Sequence, residues 1–133
     1  MNNYFLNNGD GIYSENSTNN LIKGNIFDNI GFRGMILIES KVNTISYNDI
    51  LSSDSVGIQL SAHSSGNHVH HNFISENSGS NIAIFGNDNL IEFNDLTFSR
   101  DGISMDFNSD ASNNIIRYNN IFFNDLYGVT LED

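Results

Sequence analysis

The fold is decided by an eight-residue pattern that is first complete at residues 20–27, where the sequence reads NLIKGNIF. The pattern is Asn-x-apolar-x-x-Asn-x-apolar. It recurs at 43–50 (NTISYNDI), 67–74 (NHVHHNFI), 89–96 (NLIEFNDL) and 114–121 (NIIRYNNI). The first Asn advances by 23, 24, 22 and 25 residues from copy to copy. A period of this length indicates a solenoid.

A third element follows each copy, in which a small residue precedes an apolar-x-apolar triplet, as in GMIL at 34–37 and GIQL at 57–60. Apolar residues two apart are typical of strands, and Asn, Asp, Ser and Gly interrupt the chain every five to eight residues. Helical repeats need longer runs at 3.6-residue spacing, and none occurs. The sequence therefore predicts an all-β parallel β-helix of five to six turns, each with three short strands and 22–25 residues.

Stacked parallel strands lie about 4.8 Å apart, so equivalent residues of successive turns touch. Four apolar columns are predicted to fill the interior. They are Ile22-Ile45-Val69-Ile91-Ile116, Phe5-Phe27-Ile50-Ile74-Leu96-Ile121, Ile12-Met35-Ile58-Ile82-Ile103-Val129 and Leu37-Leu60-Ile84-Met105-Leu131, with Ser14 in the first turn of the last column.

Two columns of asparagine are predicted to form hydrogen-bonded ladders, because each amide offers donors and an acceptor to the amides above and below. Asparagine also tolerates the left-handed backbone that a tight corner needs. The predicted rungs are Asn20, Asn43, Asn67, Asn89 and Asn114 in the first ladder and Asn25, Asn48, Asn72, Asn94 and Asn119 in the second.

Composition limits the function classes. The 133 residues include no Cys, Pro or Trp, and 16 acidic residues against 5 Lys and Arg give a net charge of −11. A nucleic acid or an anionic membrane would repel such a surface. No apolar run approaches the roughly 20 residues of a membrane span, and the first residues lack the features of a signal peptide. We expect one β-helix domain over residues 1–133, a fragment of a longer solenoid, with no membrane insertion.

The repeat resembles the right-handed parallel β-helix repeat of pectate-lyase-like proteins, of carbohydrate-binding and sugar-hydrolysis domains, and of the NosD-like copper-accessory family. The resemblance implies a right-handed coil, a carbohydrate-facing role and an extracellular or cell-surface location. The Asp-Pro-His motif of alginate epimerases is absent, as are the Asn-Thr-Asp, Asp-Asp and Gly-His-Gly blocks of polygalacturonases and the Gly-Gly-x-Gly-x-Asp calcium repeat. No catalytic residue is assigned, and the sequence leans against an enzyme.

All four histidines lie in one segment, at His63, His68, His70 and His71. If Val69 points inward, strand alternation turns His68 and His70 outward, with rings about 7 Å apart. Imidazoles at that spacing could share a divalent metal such as copper or zinc. The alternative is a set of solvated histidines on a strand and a loop. No other cofactor is predicted.

Charged residues form two further candidate features. Arg100, Asp101, Asp106 and Asp110 surround the longest turn and are the candidate rim of a ligand site, the alternative being a polar surface loop. One outward column is predicted to place Glu92 beside Arg117 as an exposed ion pair of a solvated face. That column consists of Lys23, Ser46, His70, Glu92 and Arg117.

An aromatic column precedes the second Asn ladder, at Tyr47, His71, Phe93 and Tyr118. Alternation from the inward Ile45 to Tyr47 predicts that these rings point into the core. An outward column could instead stack on sugar rings.

Three functions stay open at this stage. The first is a carbohydrate-facing module that binds or processes a polysaccharide. The second is a structural solenoid that stacks end to end as a homo-oligomer, because the end strands present open edges with no Pro and little Lys to guard them. The third is a copper-accessory β-helix, which the NosD-like resemblance and the histidines suggest.

Overall fold

A computed structural model describes residues 2–106 and 111–132 of the chain. Within this part every regular element is a β-strand, and no helix has the length and hydropathy needed to cross a bilayer. The chain runs repeatedly through three parallel sheets in the same order, which makes it a β-solenoid. The predicted all-β parallel β-helix is confirmed.

The strands of each sheet are neighbours one turn apart. Sheet A contains β1 (Tyr4–Leu6), β4 (Ile26–Ile30), β7 (Asp49–Ser53), β10 (Phe73–Ser75), β13 (Asp95–Thr97) and β16 (Asn120–Phe122). Sheet B contains β2 (Ile12–Glu15), β5 (Met35–Ile38), β8 (Ile58–Leu60), β11 (Ser80–Ile84), β14 (Asp101–Asp106) and β17 (Tyr127–Glu132). Sheet C contains β3 (Leu21–Lys23), β6 (Thr44–Ser46), β9 (His68–His70), β12 (Leu90–Glu92) and β15 (Ile115–Arg117).

The four apolar columns fill the space between the sheets, as predicted. Ile45, Val69 and Ile91 pair in register across three turns of sheet C and are 0% exposed. Removing such a side chain from water stabilises the fold by about 1.5–3 kcal/mol. In the last strand, β17, the same columns are open, so that Val129 is 44% exposed and Leu131 is 59% exposed.

Both asparagine columns form continuous ladders at the corners. From Asn43 in the first ladder and Asn48 in the second, Oδ1 of each rung accepts one bond from the backbone N–H and one from the Nδ2 of the Asn one turn earlier, at 2.9–3.1 Å throughout. Buried amides of this kind leave few backbone groups at the corner without a partner.

The left-handed residue at these corners is the one before the ladder Asn, which corrects the expectation from the sequence. Tyr47 has φ 55° and Phe93 has φ 55°, whereas the ladder residues have negative φ. The ladder amide therefore stays in line with the following strand, and the chain makes its bend one residue earlier.

A third polar ladder lies between sheets A and B, five residues after the second Asn column. The backbone N–H of Ser53 donates to Asn77 Oδ1 at 3.0 Å, that of Asn77 to Ser99 Oγ at 2.8 Å, and that of Ser99 to Asn124 Oδ1 at 3.2 Å. The sequence pattern missed it because Ser and Asn alternate in the column. Its steps of 24, 22 and 25 residues, equal to those of the second Asn ladder, were the available signal.

Candidate functional site

The corner between sheets C and A carries a row of exposed aromatic side chains. Tyr47 is 51% exposed, Phe93 47% and Tyr118 70%, and His71 is exposed as well. The prediction that this column points into the core is wrong. Strand alternation assumes a continuous extended backbone, and a left-handed residue at each of these four positions, with φ of 54–55°, turns the side chain outward.

We call these four residues, Tyr47, His71, Phe93 and Tyr118, the aromatic ladder. Their rings are stacked, with centroids 5.0, 5.3 and 5.2 Å apart and interplanar angles of 15–28°. Although the rings stack, Tyr47, Phe93 and Tyr118 keep 47–70% of their surface exposed to solvent. The Lys23 ammonium lies 5.0 Å from the Tyr47 ring centre at one end of the ladder, and the Arg117 guanidinium lies 5.5 Å from that of Tyr118 at the other.

A shallow groove of about 320 Å³ borders the aromatic ladder on the sheet A side. Its lining residues are Tyr47, Asp49, His71, Asn72, Phe73, Phe93 and Asp95. Asp49, Phe73 and Asp95 face outward in register on neighbouring strands, so an aromatic ring lies between two carboxylates. Asn120 Nδ2 donates to Asp95 Oδ1 at 2.7 Å. The groove thus combines apolar ring surface with strong hydrogen-bond acceptors.

A charged cluster borders the aromatic ladder on the sheet C side. Glu92 accepts a bond from Arg117 Nε at 2.7 Å and lies 3.0 Å from His68 Nε2. Glu92 and Arg117 are neighbours, as predicted. The pair was expected on a solvated face, but Glu92 is only 7% exposed. The Arg117 bond holds the pKa of the Glu92 carboxyl below its ordinary value against the opposing effect of burial, and His68 acts with Arg117.

The structure brings three of the four histidines together. The rings of His68 and His70 are 4.2 Å apart, closer than strand geometry predicts, and His70 Nδ1 lies 2.8 Å from His71 Nδ1. Burial, followed by the nearby charges of His68 and His71, lowers the pKa of His70. His63 lies exposed in the turn between β8 and β9, and no contact among the described residues joins it to the others.

No group of three or more His, Cys, Asp or Glu side chains in the described ranges is arranged to hold a metal ion. The predicted set of four histidine ligands is therefore not assembled as one centre.

The candidate ligand rim lies on another face. Arg100 is exposed, and its Nε is 3.8 Å from Asp101 Oδ2. Asp101 begins β14 in sheet B and is buried, being 7% exposed. Asp106 ends the same strand, and Asp110 lies outside the described residues. The rim is thus separate from the aromatic ladder, which stands between sheets C and A.

Comparison with known proteins agrees with this architecture. The family model described as the right-handed β-helix region matches residues 1–105. The chain belongs to the right-handed β-helix family. The resemblance to this repeat that the sequence suggested is confirmed, and with it the right-handed coil. No curated protein sequence matches the chain.

Among solved structures, a mutant of the periplasmic alginate epimerase AlgG is similar, with a TM-score of 0.86 and 20% sequence identity. The alignment covers 92% of this β-helix chain and 29% of the epimerase chain. The β-helix therefore spans less than a third of that enzyme. At this identity the likeness shows the fold, and function has to be argued from the site.

Proposed function

We propose that this β-helix binds a neutral glycan along the aromatic ladder and the groove beside it. The row of four exposed, stacked rings beside a groove with two outward carboxylates is the observation that carries the proposal. A non-glycine residue in left-handed backbone costs about 1–2 kcal/mol, and Gly24 occupies the same corner in the first turn with φ 68°. Glycine is compatible with this corner, yet the four following turns carry exposed rings, at Tyr47, His71, Phe93 and Tyr118.

The chemistry of the groove favours a sugar ligand. A pyranose ring presents an apolar face, which packs on aromatic side chains, and hydroxyl groups at its edge. Asp49 and Asp95 stand on either side of Phe73 as acceptors for such hydroxyls. Because both are carboxylates, and because the whole chain carries −11, a neutral sugar is favoured over a uronic acid.

The fold relationship is compatible with this proposal. The similar solved structure is a periplasmic enzyme that acts on alginate. A glycan ligand would place this chain at the cell surface, in the envelope or outside the cell. No catalytic role is proposed, because the epimerase motif that contains Pro is missing from a chain without Pro.

The test is affinity electrophoresis of the chain in gels that contain neutral or acidic polysaccharides. The critical variant is Phe93→Gly, with Phe98→Gly as its matched control. Phe98 also has left-handed backbone (φ 49°), is 56% exposed and stacks on Phe123, but it lies at the corner between sheets A and B. We expect Phe93→Gly to weaken retention by a neutral glycan by about tenfold and the control to leave it unchanged.

Retention that falls equally in both variants would contradict a site at the aromatic ladder. A wild-type chain that no neutral glycan retards would contradict the proposal as a whole. Preferential retention by acidic glycans would overturn the assignment of ligand charge.

A further inference from the structure

The two adjacent histidines at the end of β9 hold one ring nitrogen each at hydrogen-bond distance. His70 Nδ1 and His71 Nδ1 are 2.8 Å apart, and each belongs to an outward-facing side chain. An imidazole nitrogen binds a transition metal at about 2.0–2.1 Å. Two such ligands at 90° are therefore about 2.8–3.0 Å apart, whereas a tetrahedral angle needs about 3.3–3.4 Å. The observed distance, which is the length of a hydrogen bond between the two rings, is also the separation that the right-angled arrangement needs.

The packing around the two rings fixes this geometry. His71 lies in the aromatic ladder, with its ring centre 5.0 Å from Tyr47 and 5.3 Å from Phe93. His70 packs against the His68 ring at 4.2 Å and meets the edge of Tyr47 at 5.9 Å. Rings held on several sides lose little further freedom when they bind a ligand.

His68 has a separate role, since its Nε2 bonds to Glu92. That bond fixes the ring against which His70 packs, so His68 supports the pair without serving as a ligand. This division explains why the histidines do not form a site of three ligands.

We propose that His70 and His71 form a two-histidine site for a divalent transition metal that prefers right-angled nitrogen coordination, namely Cu²⁺ or Ni²⁺. Water completes the coordination shell. Without metal, one Nδ1 carries a proton and donates it to the other. On metal binding, that ring transfers its proton to Nε2, and both Nδ1 lone pairs face the ion. Both rings stay neutral in this step.

The experiment is isothermal titration of the full chain with Cu²⁺ and Ni²⁺ at neutral pH, together with electron paramagnetic resonance of the copper form. The variants are His70→Ser and His71→Phe. Ser46 occupies the position of His70 one turn earlier, and Phe93 occupies that of His71 one turn later. Both replacements thus occur naturally in their columns, and circular dichroism checks that the fold is kept. His63→Ala is the matched control.

We expect the wild type and His63→Ala to bind one Cu²⁺ with equal affinity and a nitrogen-rich spectrum. Each of the other two variants should bind at least about tenfold more weakly. Absence of binding in the wild type would show that the two rings share only a hydrogen bond. Loss of affinity in His63→Ala equal to that in His71→Phe would overturn the assignment. The glycan experiments do not depend on this result, because they are done without metal.

Discussion

Two neighbouring columns at the corner between sheets C and A differ sharply although they are adjacent in the chain. The second Asn ladder is buried, with Asn48 0% exposed, and the aromatic ladder just before it is open, with Tyr47 51% exposed. The ladder position holds asparagine in every turn. The preceding position holds glycine, tyrosine, histidine, phenylalanine and tyrosine in successive turns.

The fold requires asparagine in the ladder, whereas the exposed position before it can hold several kinds of side chain. The Asn48 side chain has four ladder bonds, two accepted from Asn25 and two donated, to Ile22 O and to Asn72 Oδ1, each at 3.0 Å. No other side chain of that size supplies two donors and an acceptor. Among the described residues, the Tyr47 side chain bonds to no backbone group, and its left-handed conformation suits glycine better.

Breaking one rung should produce the largest loss of stability. Asn48→Ala removes the acceptor of the buried Asn25 N–H and the donor to Ile22 O. Each buried group left without a partner costs about 1–3 kcal/mol. We expect urea unfolding of Asn48→Ala to show a free energy of unfolding lower by at least that amount.

The matched control for this rung is Asn120→Ala. Asn120 is exposed and bonds through its side chain to Asp95, outside the ladders. Its replacement should change the free energy of unfolding by less than about 0.5 kcal/mol. Equal effects of the two substitutions would show that the buried ladder has no special part in stability.

A smaller effect on stability is expected at Tyr47, the residue before Asn48. Tyr47→Gly relieves the left-handed strain, worth about 1–2 kcal/mol, and removes stacking on His71, worth about 0.5–1.5 kcal/mol. The two nearly cancel, so we expect the free energy of unfolding to change by less than about 1 kcal/mol. A loss as large as that of Asn48→Ala would mean that the aromatic ladder is part of the structural framework.

The columns could be predicted from the sequence because stacking makes each turn repeat the last. Ile45, Val69 and Ile91 show the inward position by their recurrence alone, and their burial follows. The orientation of Tyr47 could not be predicted in the same way. It depends on a single backbone angle at the corner, and alternation gives the opposite answer once φ becomes positive there.

The burial of Glu92 could not be predicted from the sequence either. Register predicts Arg117 beside it, because both occupy one column of sheet C. His68 belongs to the next outward column, two residues away along the strand, and reaches Glu92 by leaning diagonally across the sheet. Side chains from two directions thus cover the carboxylate, an effect that depends on rotamers and not on spacing.

The smallest expected effect tests whether the charged cluster of Glu92, Arg117 and His68 adds stability to the fold. The pKa of Glu92 in the folded chain lies below the ordinary value of 4.5, mainly because Arg117 donates to it. A lowered pKa stabilises the folded state at pH values above the pKa of the unfolded chain, and this stabilisation is lost as the pH falls through the pKa of the folded chain.

At neutral pH, therefore, Glu92→Gln should melt slightly below the wild type. Because protonated Glu92 resembles glutamine, the two melting temperatures should converge as the pH falls through the lowered pKa of Glu92 in the folded chain. Thermal unfolding followed by circular dichroism from pH 7 to pH 3 measures this difference, with Glu39→Gln as an exposed control that should match the wild type throughout. A gap between Glu92→Gln and the wild type that stays constant down to pH 3 would assign the effect to packing of the side chain and not to its charge.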